Sequence, residues 1–67
     1  MSKQIVVNGE PRETVSANLT ELLDELRLAD RKIAVELNRQ IVRRTDYTAT
    51  NLSAGDRVEI IHFVGGG

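Results

Sequence analysis

Leu19, Leu22, Leu23 and Leu26 stand at i, i+3, i+4 and i+7, the spacing of one face of an α-helix. On either side the hydrophobic period falls to two. The β-branched run Ile5-Val6-Val7 comes before, and Ile33, Val35 and Leu37 alternate with Lys32, Ala34 and Glu36 after. One amphipathic helix between strand patterns, in a chain of 67 residues, buries its stripe by lying across one face of a sheet. Asn18 is placed to cap the helix, with Glu21 three positions on completing a capping-box-like pair. The opposite face carries Glu21, Asp24, Glu25 and Arg27, and the helix is expected to end near Leu28 to Asp30.

Asn8-Gly9 tolerates positive φ at both positions and predicts a hairpin between strands at about Lys3–Asn8 and Pro11–Ser16, with Pro11 near a strand start. Asn38-Arg39-Gln40 turns the Ile33–Leu37 strand back into the short apolar pair Ile41-Val42. Arg43–Leu52 is polar and irregular, with one helical turn expected around Asp46-Tyr47. Ala54-Gly55-Asp56 is a turn, and Arg57–Val64 reads as the last strand. The order ββ-α-ββ-β predicts an α+β domain over residues 1–64 with a glycine tail at 65–67. Its expected core is Ile5, Val7, Val15, Leu19, Leu22, Leu23, Leu26, Ile33, Val35, Leu37, Ile41, Leu52, Val58 and Ile60.

From Ile60 onward the last strand is apolar on both faces, and one helix covers only one. Ile61 and Phe63, with Val6 and Ala34 near them, either form an exposed partner surface or lie under a loop.

Composition narrows the function. Nine Lys and Arg against ten Asp and Glu leave a net charge of −1, which argues against a nucleic-acid binder. No apolar run approaches a membrane span. The apolar stretch near the N-terminus is only Ile5-Val6-Val7, so export is not expected and the expected location is cytoplasmic. With no Cys, disulfides, thiolate metal sites and cysteine nucleophiles are excluded. A single His, His62, supplies no His pair for zinc and no base-and-orienter set. A small domain also has little room for a deep active-site cavity, so no metal, bound cofactor or catalytic residue is expected.

The remaining chemistry is at the end of the sequence. Gly65-Gly66-Gly67 carries no side chains, so it could thread a narrow channel and present a carboxylate to another protein, or be an inert frayed end. His62 could approach that carboxylate, although a lone strand His is more often structural. Arg43-Arg44 reads as a solvated loop or an ionic partner contact, and the acidic helix face of Glu21, Asp24 and Glu25 as solubility or a surface for a basic partner. Tyr47 is expected to anchor its loop through a hydroxyl-to-backbone hydrogen bond.

The element order, the Asn8-Gly9 hairpin, the Leu22-Leu23 helix, the strand-turn-strand from Ile33 to Val42 and Ala-Gly-Asp-Arg-Val-Glu-Ile-Ile-His-Phe-Val-Gly-Gly-Gly at 54–67 carry a family likeness. The chain resembles the ubiquitin-like β-grasp sulfur carriers, and among them the ThiS family of thiamine biosynthesis. The resemblance implies a mixed five-stranded sheet with one helix across one face and a flexible glycine tail. It also implies a carrier rather than an enzyme, a monomer when free, binding neither nucleic acid nor membrane.

In that family a ThiF-type adenylyltransferase of the ubiquitin-activating kind, using ATP and magnesium, adenylates the terminal carboxylate, here that of Gly67. Sulfur from a cysteine desulfurase persulfide or another donor displaces AMP, and thiazole synthase (ThiG) takes sulfur from the resulting thiocarboxylate. Gly65 and Gly66 are then needed for channel access, and Val6, Ala34, Ile61 and Phe63 for docking. A MoaD-like carrier for molybdopterin synthesis, a ubiquitin-like protein modifier and an interaction domain with an inert tail remain the alternatives.

Overall fold

Two hairpins frame the sheet, and both turn on an asparagine held at positive φ. The computed structural model describes residues 1–63. Strands β1 (Lys3–Val7) and β2 (Glu10–Thr14) are joined by Asn8-Gly9, with φ of 49° and 83°. Strands β3 (Ile33–Leu37) and β4 (Gln40–Val42) are joined by Asn38-Arg39, with φ of 51° and 71°. Positive φ at both central residues matches a two-residue turn to the right-handed twist of its strands. Helix α1 (Leu19–Glu25) separates the hairpins, and β5 (Arg57–His62) closes the sheet in the order β2-β1-β5-β3-β4. β1 and β5 are parallel and every other pairing is antiparallel, so the sheet is mixed as expected. Pro11 sits on the edge strand β2, where no ladder needs its missing N–H. The expected end of the last strand at Val64 and the tail at Gly65–Gly67 lie outside the described residues.

Helix α1 begins as expected. Asn18 Oδ1 accepts the Glu21 N–H at 2.9 Å, and Glu21 Oε1 reaches back to the N–H of Ala17 at 2.8 Å, one residue before the cap. Its end comes earlier than the expected Leu28 to Asp30. Arg27 adopts φ 62°, its N–H bonds the Asp24 carbonyl at 3.0 Å, and the Leu28 N–H bonds the Leu23 carbonyl at 2.7 Å. These two bonds around a left-handed residue form a Schellman stop, which Gly usually makes and Arg27 makes here. Leu28 folds back against the core instead of continuing the stripe.

The core lies between α1 and one sheet face: Ile5, Leu19, Leu22, Leu23, Ile33, Val35, Leu52, Val58 and Ile60 are buried, with Val7, Leu26 and Leu37 partly so. Two expected core residues are corrected by register. Ile5 pairs with Arg12 and Lys3 with Thr14, so Val15 falls on the outer face and is 71% exposed, while Thr14 and Ser16 turn inward. Val35 pairs with Val42, which places Ile41 on the outer face at 74% exposure and Val42 against the core.

Tyr47 is corrected too. Its side chain is buried in the core, and among the described residues its hydroxyl makes no hydrogen bond to the backbone. It follows a 3-10 turn at Arg44–Asp46 and anchors the long β4–β5 connection in the core. Backbone bonds from Leu19 to Thr50 (3.1 Å) and from Leu52 to Ala17 (2.9 Å) fasten the same connection.

Candidate functional site

The end of β5 leads toward the glycine tail, and three neighbouring segments hold the strand along its length. Toward β3, Ile33 pairs with His62 and Ala34 with Ile61, and the Phe63 N–H continues the ladder to the Lys32 carbonyl at 3.1 Å. Toward β1 the ladder runs out, because β1 pairs with β5 only through Val6↔Arg57 and Val7↔Val58. Asn8 extends it: its N–H donates to the Val58 carbonyl at 2.9 Å, and its Oδ1 accepts the Ile60 N–H at 2.7 Å. At the other hairpin Asn38 Oδ1 accepts the Arg57 N–H at 2.9 Å, and its N–H donates to the Arg57 carbonyl at 2.8 Å. Asn8 and Asn38 thus use the same left-handed conformation both to turn a hairpin and to fasten β5. Their role at β5 has no local sequence signal, because each partner is chosen by the fold.

The outer face, which α1 does not cover, carries Ile61 at 48% and Phe63 at 60% exposure, so neither lies under a loop. Ala34, half-buried, is the direct neighbour of Ile61. Val6 shares this face but not this neighbourhood. It pairs with Pro11 and Arg57 beside a hollow of about 450 Å³ lined by Gln4, Ile5, Pro11, Ala54 and Gly55. Four positions of β5 separate Arg57 from Ile61, about 13 Å along the strand. The four residues expected to form one surface therefore divide into Ala34, Ile61 and Phe63 near the tail and Val6 at the far end.

His62, exposed, alternates to the helix side of the sheet in register with Ile33. Arg44 Nη2 donates to the Arg31 carbonyl at 3.2 Å, joining the two basic segments, Arg31-Lys32 and Arg43-Arg44, beside the end of β5. Of the acidic helix face, Glu25 is engaged. Its carboxylate accepts from Thr14 Oγ1 (2.6 Å), Ser16 Oγ (2.8 Å) and Arg12 Nη2 (2.8 Å). The Thr14 hydrogen bond leads in holding its pKa below the ordinary carboxylate value, against burial and with help from Arg12 and Ser16. This cluster ties α1 to β2 and is structural. Among the described residues no group of three or more His, Asp or Glu side chains could hold a metal ion, and no helix is long and apolar enough to cross a membrane.

A five-stranded mixed sheet of this order with one helix across it is the ubiquitin-like β-grasp fold, and here it delivers an apolar strand end to a Gly-Gly-Gly sequence. The crystal structure of the thiamine biosynthesis protein (ThiS) from Geobacter metallireducens matches it with a TM-score of 0.81 at 40% identity, covering 96% of this chain and 99% of that one.

The family model for ThiS matches residues 5–67, and the chain belongs to the ThiS family. The sulfur carrier protein ThiS of Bacillus subtilis is 35% identical over 52 residues, covering 78% of this chain and 79% of that protein. The thiazole synthase of Paramagnetospirillum magneticum is 42% identical over 65 residues, 96% of this chain. This chain spans about one fifth of the length of that synthase and of a second one from Magnetococcus marinus.

Proposed function

We propose that this chain is a sulfur carrier of thiamine biosynthesis, and that the carrying group is the carboxylate of Gly67. The observation that carries the reading is the extent of the family match, which runs from β1 through the last glycine. A carboxylate is a poor electrophile because its leaving group would be oxide. An adenylating enzyme overcomes this by transferring AMP from ATP to the Gly67 carboxylate with release of pyrophosphate. The outer sulfur of a persulfide then attacks the acyl carbon and AMP leaves, giving an acyl disulfide. A second thiol, from the partner enzyme or a small-molecule reductant, attacks the donor's sulfur, forms a disulfide with the donor and releases the thiocarboxylate. In a chain without Cys, a carboxyl group is the place to hold activated sulfur.

Thiazole synthase is the proposed acceptor. Two proteins bearing that name contain a segment similar to nearly all of this chain. In this reading the chain is a co-substrate that passes between enzymes, and the β-grasp domain is the handle by which each grips it.

The test is mass spectrometry of the protein purified after co-expression with an adenylating enzyme and a cysteine desulfurase of the same genome. Replacement of one terminal oxygen by sulfur, absent when Gly67 is deleted, is the expected result. Gly67-linked isopeptide adducts on other proteins, without the thiocarboxylate, would replace the carrier reading by that of a protein modifier.

A further inference from the structure

The geometry points to a mixed apolar and basic docking surface, Ala34, Ile61 and Phe63 flanked by Lys32 and Arg43, for a protein partner that sets carboxylates around an apolar hollow. The inference rests on the carrier reading and names the surface by which the adenylating enzyme grips the domain. Register places the two cations. Phe63 bonds to Lys32 one step beyond the Ile33↔His62 pair, so Lys32 stands opposite Phe63. Arg43 follows Val42, which pairs with Val35, and keeps an extended backbone (φ −74°, ψ 147°), so continuing that register by one residue sets it next to Ala34 on the side away from Ile61. Residues opposite one another in adjacent strands share a face. Lys32 and Arg43 therefore lie on the same uncovered face as Ile61 and Phe63, and both are exposed. Among the described residues the ion pair is Arg12–Glu25, and neither Lys32 nor Arg43 has an anionic partner.

Reach requires that this face be covered. Four residues, Val64 to Gly67, follow Phe63, and a fully extended chain of that length spans at most about 14 Å. An enzyme acting on the Gly67 carboxylate at the bottom of a channel must therefore bring its channel mouth against the surface around Phe63. Charge selects the kind of partner. One step back along the same face Glu36 and Glu59 are paired in register, and the chain's net charge is −1. A polyanion such as nucleic acid would meet repulsion there. A folded protein can place carboxylates opposite Lys32 and Arg43 while leaving the glutamates uncontacted, so the occupant is an acidic-rimmed protein surface.

The experiment measures association of the whole chain with the adenylating enzyme of the same genome by stopped flow, alongside chain-dependent ATP–pyrophosphate exchange. The variant is Lys32→Glu with Arg43→Glu. Its control, Arg39→Glu with Arg57→Glu, changes the net charge equally at the opposite end of β5.

Charge steering supports on-rates that fall with salt. The first pair should therefore slow association about tenfold at low ionic strength, with the deficit vanishing near 1 M, where the screening length is about 3 Å. Exchange at saturating chain and the melting temperature should be unchanged, and Lys32→Arg with Arg43→Lys should associate normally. Equal slowing by both charge-reversed pairs, or no slowing by the first, overturns the docking surface while wild-type exchange upholds the carrier reading. Absence of exchange with the wild-type chain overturns the carrier reading and this surface with it.

Discussion

Asn8 Oδ1 accepts the N–H of Ile60 at 2.7 Å, joining a hairpin turn to the last strand across 52 positions of sequence. The bond supplies an acceptor where β1 has ended and β5 continues toward the tail. Asn8→Gly keeps the left-handed turn but leaves the Ile60 N–H unsatisfied, and should cost about 1–3 kcal/mol. Asn8→Ala should cost about 1–2 kcal/mol more, because φ of 49° places its Cβ in conflict with the backbone. Urea unfolding measures both, and amide exchange at Ile60 should accelerate in each.

The register assigns different energies to apolar residues of similar size. Leu22 is fully buried beneath the sheet, and Leu22→Ala should destabilise by about 2–5 kcal/mol. Val15→Ser and Ile41→Ser lie on the outer face and should stay within about 0.5 kcal/mol of the parent. Thermal melts of the three variants side by side check the assignment, and a large loss for Ile41→Ser would contradict the β3–β4 register.

The Glu25 cluster makes stability depend on pH in a definite direction. Its carboxyl pKa is lowered in the fold, chiefly by the Thr14 hydrogen bond, so the folded state favours the ionised form. The contribution is therefore present above the ordinary carboxylate pKa of 4.5 and is lost as pH falls through the lower, folded value. Glu25→Gln should destabilise the domain near neutral pH and flatten the acid side of its stability curve. Melting temperatures from pH 7 down to pH 3 test this, and a parallel downward shift at every pH would count against it.

Arg27 occupies the left-handed position that ends α1, at φ 62°. Arg27→Gly removes a Cβ penalty but adds freedom to the unfolded chain, so the net gain should be about 0.5–1 kcal/mol. A raised melting temperature with unchanged activity in sulfur transfer is the expected outcome, since Arg27 takes no part in the proposed docking surface.

If the tail acts by threading a channel, Gly66→Val should block adenylation while leaving the folded domain intact. Pyrophosphate exchange with the adenylating enzyme, paired with circular dichroism, reads the two effects separately. Normal exchange by the variant would mean that slimness of the tail is not required.

Local sequence determined the parts of this protein that depend on near neighbours. The i, i+3, i+4, i+7 leucines define α1, Asn18 with Glu21 defines its start, and Asn8-Gly9 defines the first turn, because each works through residues within a few positions. The composition and the terminal glycines, together with the family likeness, are legible in the sequence alone and point to a carrier. Tertiary structure alone decided which face each strand residue meets. Val15 and Ile41 look like core residues, yet one step of register turns them to solvent, while Tyr47 leaves a polar loop to enter the core. It also decided that Asn8 and Asn38 hold β5, and that Val6 stands apart from Ile61 while Lys32 stands opposite Phe63 and Arg43 next to Ala34. Those relations join segments tens of residues apart. Strand order and pairing offset set them, and neither is encoded in any local spacing.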